Sequence, residues 1–313
     1  MLRYTIKRLL ATIPVMGVVA LFVFSLLYLS PGDPAVVIAG DLATNDDIIR
    51  IRASLGLDQP FLVRFGGWVW DLAHGDLGIS IFTNLPVSTL IMQRVEPTIA
   101  LTICTLIVTV GIAVPLGVVA AWKAESWIDR SVMGLSVIGF SVPVFVLAYI
   151  LVMVFSLWLG WLPVQGYRSI FDGLWPFLQH MILPSVALSL VYIALIARIT
   201  RASMLDVLAQ DYIRTAQAKG LAPGAVLIRH ALKNAAVPVV TIIGIGIALL
   251  ISGVVVTETV FAIPGVGRLT VDAILRRDYP IIQGVILLFS AAYVLVNLLV
   301  DLSYTLFDPR IRY

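Results

Sequence analysis

The stretch VPVVTIIGIGIALLISGVVVT, residues 237–257, contains no charged side chain. A helix needs about 20 predominantly apolar residues to cross the hydrocarbon core of a bilayer, which is about 30 Å thick. The stretch is therefore long enough to span a membrane. Because hydrocarbon offers backbone groups no partner outside their own helix, and because no alternating strand pattern accompanies it, the stretch predicts an α-helix.

Five further uncharged apolar runs have the same character: residues 9–29, 98–122, 131–159, 181–197 and 281–300. Of the 313 residues, 60% are hydrophobic and 12% are charged, and the mean hydropathy is +1.02, whereas soluble domains average about 45–50% apolar and 25% charged residues. This composition excludes a soluble enzyme and a disordered chain, and the single cysteine excludes a disulfide scaffold. We predict an all-α polytopic membrane protein with six transmembrane helices. In the run 131–159 we expect tilt or a kink at Pro143 rather than a second helix.

The distribution of basic residues predicts the orientation of the chain in the membrane. The segment before the first run is basic, and the run itself is too long for a signal peptide and lacks a small-residue cleavage site, so it is interpreted as an uncleaved helix. The excess of Lys and Arg on one side then places both termini in the cytoplasm, with Arg268, Arg276 and Arg277 as exceptions. A net charge of only +3 gives no reason to expect nucleic acid as a partner.

Residues 31–97 form a predicted periplasmic insert between the first helix, residues 1–30, and the remaining core, residues 98–313. Thr44 and Asp47 precede an apolar series and predict a capped amphipathic helix. A second helix at the membrane surface is marked by aromatic side chains: Phe65, Trp68 and Trp70. The insert fits a solvated lid and a docking surface for another protein equally well.

Residues 198–236 form a second segment that does not span the membrane. One predicted helix covers residues 203–219, and its apolar face is lined by Met204, Leu205, Leu208, Tyr212, Thr215 and Ala216. Gly220 ends this helix, and Pro223 can start the next one. The product is a helix-turn-helix on the cytoplasmic side. Its apolar face must be covered. The spacing alone does not decide whether the lipid surface or a partner protein covers it.

The sequence DYIRTAQAKGL, residues 211–221, resembles the coupling motif in the membrane-spanning subunits of ATP-binding-cassette (ABC) importers. More narrowly, the chain is similar to the dipeptide, oligopeptide, nickel and glutathione permeases. The similarity covers nearly the whole chain, through PGDP at 31–34, LGLDQP at 55–60, GDLGIS at 75–80, NA at 234–235, FAIPGVGRL at 261–269, RDYP at 277–280, NLLVD at 297–301 and DPRIR at 308–312. The broad motif opens with Glu-Ala-Ala, whereas Arg214, Thr215 and Ala216 occupy those positions here, a form common in the peptide-type branch. A carboxylate contact to the ATPase therefore cannot be carried over.

The resemblance implies a type I importer permease fold, with the coupling helix-turn-helix between the fourth and fifth spans. It implies a homologous second permease subunit, two cytoplasmic ABC ATPases and a periplasmic substrate-binding protein as partners, with the lipid bilayer around the spans. The residues expected at the ATPase contact are Asp211, Tyr212, Arg214, Thr215, Ala216, Lys219, Gly220 and Leu221. ATP and Mg are expected on the ATPases, because this chain has no Gly-x-x-x-x-Gly-Lys-Ser/Thr loop. No catalytic, cofactor-binding or metal-binding residue is assigned to this chain.

The sequence indicates the residues of the substrate path less clearly than those of the coupling segment. Ser141 and Pro143 are candidates for lining it, although packing or kink roles are the simpler interpretation. Asp272, Arg277 and Asp278 are candidates for meeting the external binding protein, and solvated loop charges explain them equally well.

The resulting functional prediction is a permease subunit of an ATP-driven importer of short peptides, located in a bacterial inner membrane. Glutathione, a nickel complex or another small solute is the alternative within the same class. A stand-alone ion-coupled carrier is a different class, and the absence of Asp, Glu, Lys and Arg from the six runs argues against it, since such carriers commonly use intramembrane charges. A membrane-anchored scaffold is the third possibility.

Overall fold

A computed structural model describes residues 2–29, 34–39, 43–54 and 56–307, and most of these residues are helical. The α-helices, in chain order, are α1 (Leu2–Leu29), α2 (Pro34–Ala39), α3 (Asn45–Ser54), α4 (Phe61–Ala73), α5 (Val87–Trp122), α6 (Trp127–Ser141), α7 (Val144–Leu151), α8 (Leu174–Leu208), α9 (Asp211–Ala218), α10 (Pro223–Ala225), α11 (Ala236–Val260), α12 (Val266–Arg276) and α13 (Tyr279–Phe307). Two π-helical segments, Val152–Trp158 and Val226–Leu232, continue α7 and α10, and Ile170–Asp172 is a 3₁₀ turn.

Five helices in the described part of the chain are long and apolar enough to cross a membrane, namely α1, α5, α8, α11 and α13. The run 237–257 lies within α11, as its composition predicts. The pair formed by α6 and by α7 with its π-helical continuation passes the same test together, and the two halves are bent by 102°. The described residues therefore contain five candidate spans, or six if the bent pair crosses as one.

The bend at Pro143 is larger than the sequence predicts. Val142 adopts an extended backbone (φ −91°, ψ 124°), which ends α6, and Pro143 precedes the first residue of α7. Proline lacks an N–H group and disfavours helical backbone in the residue before it, so the helix stops here. The expectation of a kink without a second helix is wrong. By contrast, Pro115 and Pro184 lie inside the continuous helices α5 and α8.

The chain divides into two compact units. The first comprises Glu96–Arg268 and Leu295–Tyr313. Its largest core brings together buried side chains of α5, α7, α8 and α11 with the turn after α11: Leu101, Ala148, Phe177, Met181, Leu183, Ala187, Leu188, Tyr192, Leu250, Val254, Phe261 and Ile263.

The second unit comprises Leu2–Val95 and Leu269–Val294. In it, Phe24 of α1 packs against aromatic rings of α4, with ring centroids 5.4 Å from Phe61, 5.5 Å from Phe65 and 5.3 Å from Trp68. Trp70, on the other side of α4, is exposed. The inner face of α4 is therefore occupied by the chain itself.

The insert contains α2, α3 and α4, followed by a glycine turn. Gly75 and Gly78 both have positive φ, and the side chain of Asp76 accepts a hydrogen bond from the Gly78 N–H at 2.8 Å. The predicted capped helix corresponds to α3. The first three residues of the PGDP sequence, Leu55 of LGLDQP and the DPRIR sequence lie outside the described residues.

Candidate functional site

Residues 203–219, for which the sequence predicts one helix, contain the end of α8 and the separate helix α9. Helix α8 ends at Leu208, and α9 begins at Asp211 after an extended residue, Gln210 (φ −74°, ψ 147°). No Gly or Pro marks this break, so the apolar spacing alone could not locate it. Because the break changes the rotational phase, Tyr212 and Thr215 face outward, and the prediction that they share one helical face with Met204 is wrong.

The buried face of α9 consists of Ile213 and Ala216, which are 0% and 9% exposed. Ile213 belongs to an apolar cluster that also contains residues of α5, α8 and the chain after α10: Ala121, Met204, Val226, Leu227, Ala231 and Ala235. We call this set the coupling cluster. It covers the apolar face of α9 with residues of the same chain, so neither lipid nor a partner is needed there.

The opposite face of α9 is polar and exposed. Tyr212 is 44% exposed, and Arg214, Thr215 and Lys219 are also exposed. Arg214 Nη1 lies 3.4 Å from Asp211 Oδ1, but their side chains are 74% and 96% exposed, so solvent screens this pair. The structure thus places most of the residues expected at the ATPase contact on one accessible surface. Ala216 is the exception because it packs inward, and Leu221 is half-buried.

The end of α9 is a Schellman turn. The Gly220 N–H donates to Gln217 O at 2.9 Å, and the Leu221 N–H donates to Ala216 O at 3.3 Å. Gly220 has φ +77°, and apart from its two chain neighbours no residue has an atom within 4 Å of the position a β-carbon would occupy. The predicted helix end at Gly220 and the start of the next helix at Pro223 are both found in the structure.

A partly buried ion pair joins α6 to the last part of α8. Arg201 Nε and Nη2 donate to the two carboxylate oxygens of Asp129, at 2.5 Å and 2.6 Å. The Asp129 side chain is 4% exposed and that of Arg201 is 26% exposed. The Glu125 N–H donates to Asp129 Oδ2 at 2.9 Å, so the carboxylate also fixes the turn before α6. The sequence alone does not reveal this pair, because only the cap pattern from Ser126 to Asp129 marks it.

The turn after α12 repeats the geometry found after α9. The Arg277 N–H donates to Ile274 O at 3.1 Å, and the Asp278 N–H donates to Ala273 O at 2.9 Å. Arg277 has φ +57° and is exposed. This second Schellman turn therefore has arginine at the position that Gly220 occupies in the first.

The Asp278 carboxylate is buried and hydrogen-bonded within its own unit. It is 2% exposed, and it accepts hydrogen bonds from the Ser80 hydroxyl at 2.6 Å and from the Ile81 N–H at 3.3 Å. The contact links the two sequences GDLGIS and RDYP. A direct contact of this carboxylate with the binding protein would have to displace the Ser80 hydroxyl or the Ile81 N–H. Asp272 is half-buried beside a small cleft.

Glu258 is a second carboxylate that the sequence analysis missed. It is fully buried near the end of α11, one residue beyond the run 237–257. It accepts from the Thr98 hydroxyl at 2.6 Å and from the Arg268 N–H at 2.9 Å. A β-carbon on Gly265 would overlap the Glu258 carboxylate, and one on Gly267 would lie 2.7 Å from Val255 Cα. The two glycines of the sequence PGVG therefore make room for this junction.

One further carboxylate connects α5 to the loop before α8. Glu96 accepts from the Tyr167 hydroxyl at 2.9 Å and from the Ser169 hydroxyl. Burial, together with the neighbouring carboxylate of Glu96, raises the pKa of Tyr167 far above its usual value, so this hydroxyl stays a neutral donor.

Of the candidate path residues, Ser141 lines a pocket of about 210 Å³ that also includes Ser136 and Arg198. Ser141 donates to Val137 O of its own helix at 2.8 Å, and Pro143 marks the bend. A cavity of about 360 Å³ lies between α5, α6 and α8, and its walls are almost entirely apolar. Ser136 is one of its few polar residues, and its hydroxyl also bonds to its own helix, at Val132 O.

Comparison with known proteins identifies the family. Residues 113–313 match "Binding-protein-dependent transport system inner membrane component", and residues 1–102 match the corresponding N-terminal family. The chain belongs to this permease family. The resemblance to ABC importer permeases is thereby confirmed, and the permease is a multi-pass inner-membrane protein.

Relatives of this permease match over its whole length. It is 56% identical over 310 residues to a probable peptide ABC transporter permease protein, y4tP, of Sinorhizobium fredii, and the alignment covers 99% of each chain. It is 43% identical over 333 residues to the dipeptide transport system permease protein DppB of Alkalihalophilus pseudofirmus, and 45% identical over 313 residues to the glutathione transport system permease protein GsiC of Escherichia coli O6:H1, with 100% coverage of each chain in both cases.

Among solved structures, the permease resembles a chain of the inward-facing MetNI methionine ABC transporter, with a TM-score of 0.60 and 18% sequence identity. The match covers 71% of this chain and 97% of that chain. At this identity the likeness concerns the fold alone, which is that of a type I importer permease.

Proposed function

We propose that the permease forms part of an ATP-driven importer of short peptides, in which separate cytoplasmic ATPases act on α9. The observation that carries the proposal is the two-sided construction of α9. Ile213 fixes one face into the coupling cluster, while Tyr212, Arg214 and Lys219 occupy the accessible face. A helix that is fixed on one side and polar on the other can receive a contact and transmit it to α8.

Short peptides are the substrate class that the relatives support best. Two of the three relatives described above have peptide or dipeptide in their names, including the one with 56% identity. The glutathione permease relative supports the alternative, although glutathione is itself a small peptide. We propose that a periplasmic substrate-binding protein delivers the peptide and that a homologous second permease completes the pathway.

In the proposed orientation both termini and α9 are cytoplasmic, and the insert with α3 and α4 is periplasmic. The binding protein would then meet the insert, whose outward side chains include Leu62 and Trp70, 77% and 67% exposed. Asp272 and Arg277 remain candidates for this contact, because neither is fully buried.

An ion-coupled carrier is less well supported. Such carriers commonly move ions through acidic groups within the membrane. Glu258 is an acid inside the candidate span α11, but the Thr98 hydroxyl and the Arg268 N–H already bind its two oxygens. This arrangement favours a structural role for Glu258 over an ion site.

The proposal is tested with the permease, its second permease and its ATPases reconstituted in proteoliposomes. Labelled dipeptide, glutathione and a nickel complex are each supplied with the binding protein. We expect ATP-dependent uptake of dipeptide, and no uptake when an ion gradient replaces ATP. Uptake of nickel or glutathione in preference to dipeptide would contradict the substrate class while leaving ATP coupling intact.

A further inference from the structure

The ion pair between Asp129 and Arg201 lies next to the coupling cluster. Arg201 precedes Met204 by one helical turn on α8, and Met204 is a fully buried member of the cluster that holds Ile213 of α9. On the other side, Asp129 lies in the first turn of α6. The pair therefore connects the helix that anchors α9 to the helix that leads to the bend at Pro143.

The geometry of the pair restricts the orientation of the two side chains as well as their distance. Two parallel hydrogen bonds join Arg201 Nε and Nη2 to the two oxygens of Asp129, so both the separation and the relative rotation of the partners are fixed. The Glu125 N–H and the capping Ser126 hold the Asp129 side of the contact. An apolar contact of the same size would permit sliding, because dispersion attraction has little directional preference.

Farther along the same helices, α6 approaches α8 closely again. A β-carbon on Gly139 would lie 3.3 Å from Leu190 O, which leaves little space between the two backbones. The apolar cavity of about 360 Å³ is bounded by α6 and α8 near this point. If α6 moved together with α8, the walls of this cavity would shift relative to α5. If α6 did not follow α8, the walls would change in a different way.

We propose that Asp129 and Arg201 are positioning residues that make α6 follow α8 when an ATPase displaces α9. The pair carries the displacement from the coupling cluster to the 102° bend between α6 and α7. This inference rests on the proposed function of α9 and adds the route by which its movement reaches the membrane-embedded part of the chain.

A purely stabilising role makes a different prediction, because a buried ion pair can often be replaced by well-packed apolar residues without loss of stability. The test variant is the double substitution Asp129→Leu with Arg201→Met in the full complex, and the control is Arg130→Met, which removes an exposed cation from the same turn. We expect the double variant to assemble and to keep basal ATPase activity. Peptide transported per ATP hydrolysed should fall by about tenfold, a typical size for coupling between sites, and the control should match the wild type.

A second variant, Arg201→Lys, keeps the positive charge but loses the two-point contact. It is expected to assemble and to transport less peptide per ATP than the wild type, even if the double variant fails to assemble. Spin labels on α6 and α8 give a direct measurement. Their distance should stay constant between the nucleotide-free and ATP-bound complexes of the wild type, and should change in Arg201→Lys.

Wild-type transport per ATP in either variant would overturn the inference, as would an unchanged label distance in Arg201→Lys. These outcomes are separable from failure of the proposed function. Disulfide cross-linking from Tyr212→Cys to the ATPase reports docking of α9 independently, in a background where Cys104→Ser removes the chain's own cysteine. Cross-linking together with wild-type transport per ATP would support docking of α9 and would rule out the proposed role of the ion pair.

Discussion

Helices α9 and α12 end in the same Schellman turn, but with different residues in it. After α9 the left-handed position is Gly220 and the next residue is Leu221, which packs against the coupling cluster. After α12 the same positions are Arg277 and Asp278, and the Asp278 carboxylate binds the Ser80 hydroxyl and the Ile81 N–H. The backbones match, whereas the side chains have different partners.

The difference indicates why glycine is at position 220. Arg277 demonstrates that this chain accommodates a long side chain at φ +57°, although left-handed backbone costs a non-glycine residue about 1–2 kcal/mol. The backbone alone therefore does not require Gly220. Because the space beside Gly220 is open in this chain, the absence of a side chain there leaves room for a partner. We interpret the α9 turn as a docking surface and the α12 turn as an internal structural contact.

The largest expected effect that separates the two turns comes from Gly220→Asp. Aspartate is among the residues that tolerate left-handed backbone, so the variant should remain in the membrane. Its side chain would project into the docking space, and we expect stimulation of ATP hydrolysis by substrate-loaded binding protein to be lost. Gly160→Asp is the matched control, since Gly160 also has positive φ (+65°) and open surroundings. Wild-type stimulation in Gly220→Asp would refute the docking interpretation.

The next effect concerns how α9 is fixed. Ile213→Ala removes a fully buried side chain, and such substitutions cost about 2–5 kcal/mol. We expect faster hydrogen exchange of the α9 amides and weaker coupling to the ATPase. Tyr212→Ala, at a 44% exposed neighbour, should leave the exchange rates nearly unchanged. Equal exchange in the two variants would mean that the coupling cluster does not hold α9.

A smaller effect is expected in the α12 turn. Asp278→Ala leaves the Ser80 hydroxyl and the Ile81 N–H without their acceptor, which costs about 1–3 kcal/mol. Thermal unfolding of the detergent-purified permease should occur at lower temperature. Arg277→Gly, which removes an exposed charge and relieves the left-handed backbone, should not lower it. Unchanged stability together with lost response to the binding protein would instead make Asp278 a partner contact.

The sequence alone predicts the elements that depend on local composition. The run 237–257 becomes α11 because it is apolar and long, and Gly220 and Pro223 mark a helix end and start because their backbone preferences are intrinsic. The bend at Pro143 is located by the same reasoning, but its size of 102° is not, since neighbouring helices determine how far a broken helix turns.

The contacts that the sequence could not predict join residues that lie far apart in the chain. Arg201 and Asp129 are separated by 72 residues, and Ser80 and Asp278 by 198, so no local spacing connects them. The sequence makes Asp278 a candidate for meeting a partner and does not single out Glu258, whereas both carboxylates bind hydroxyl and N–H donors inside the chain. The break before α9 lacks a Gly or Pro, and it separates Tyr212 and Thr215 from the helical face of Met204 on which the spacing places them.

Uptake by the purified permease alone, in liposomes without ATPases, tests most directly whether the energy for transport enters through α9. Labelled dipeptide is supplied with an imposed proton or sodium gradient, and the full complex with ATP is measured in parallel. The account predicts accumulation only in the liposomes that contain the full complex and ATP. Accumulation by the permease alone would contradict the proposed division between a passive permease and separate ATPases.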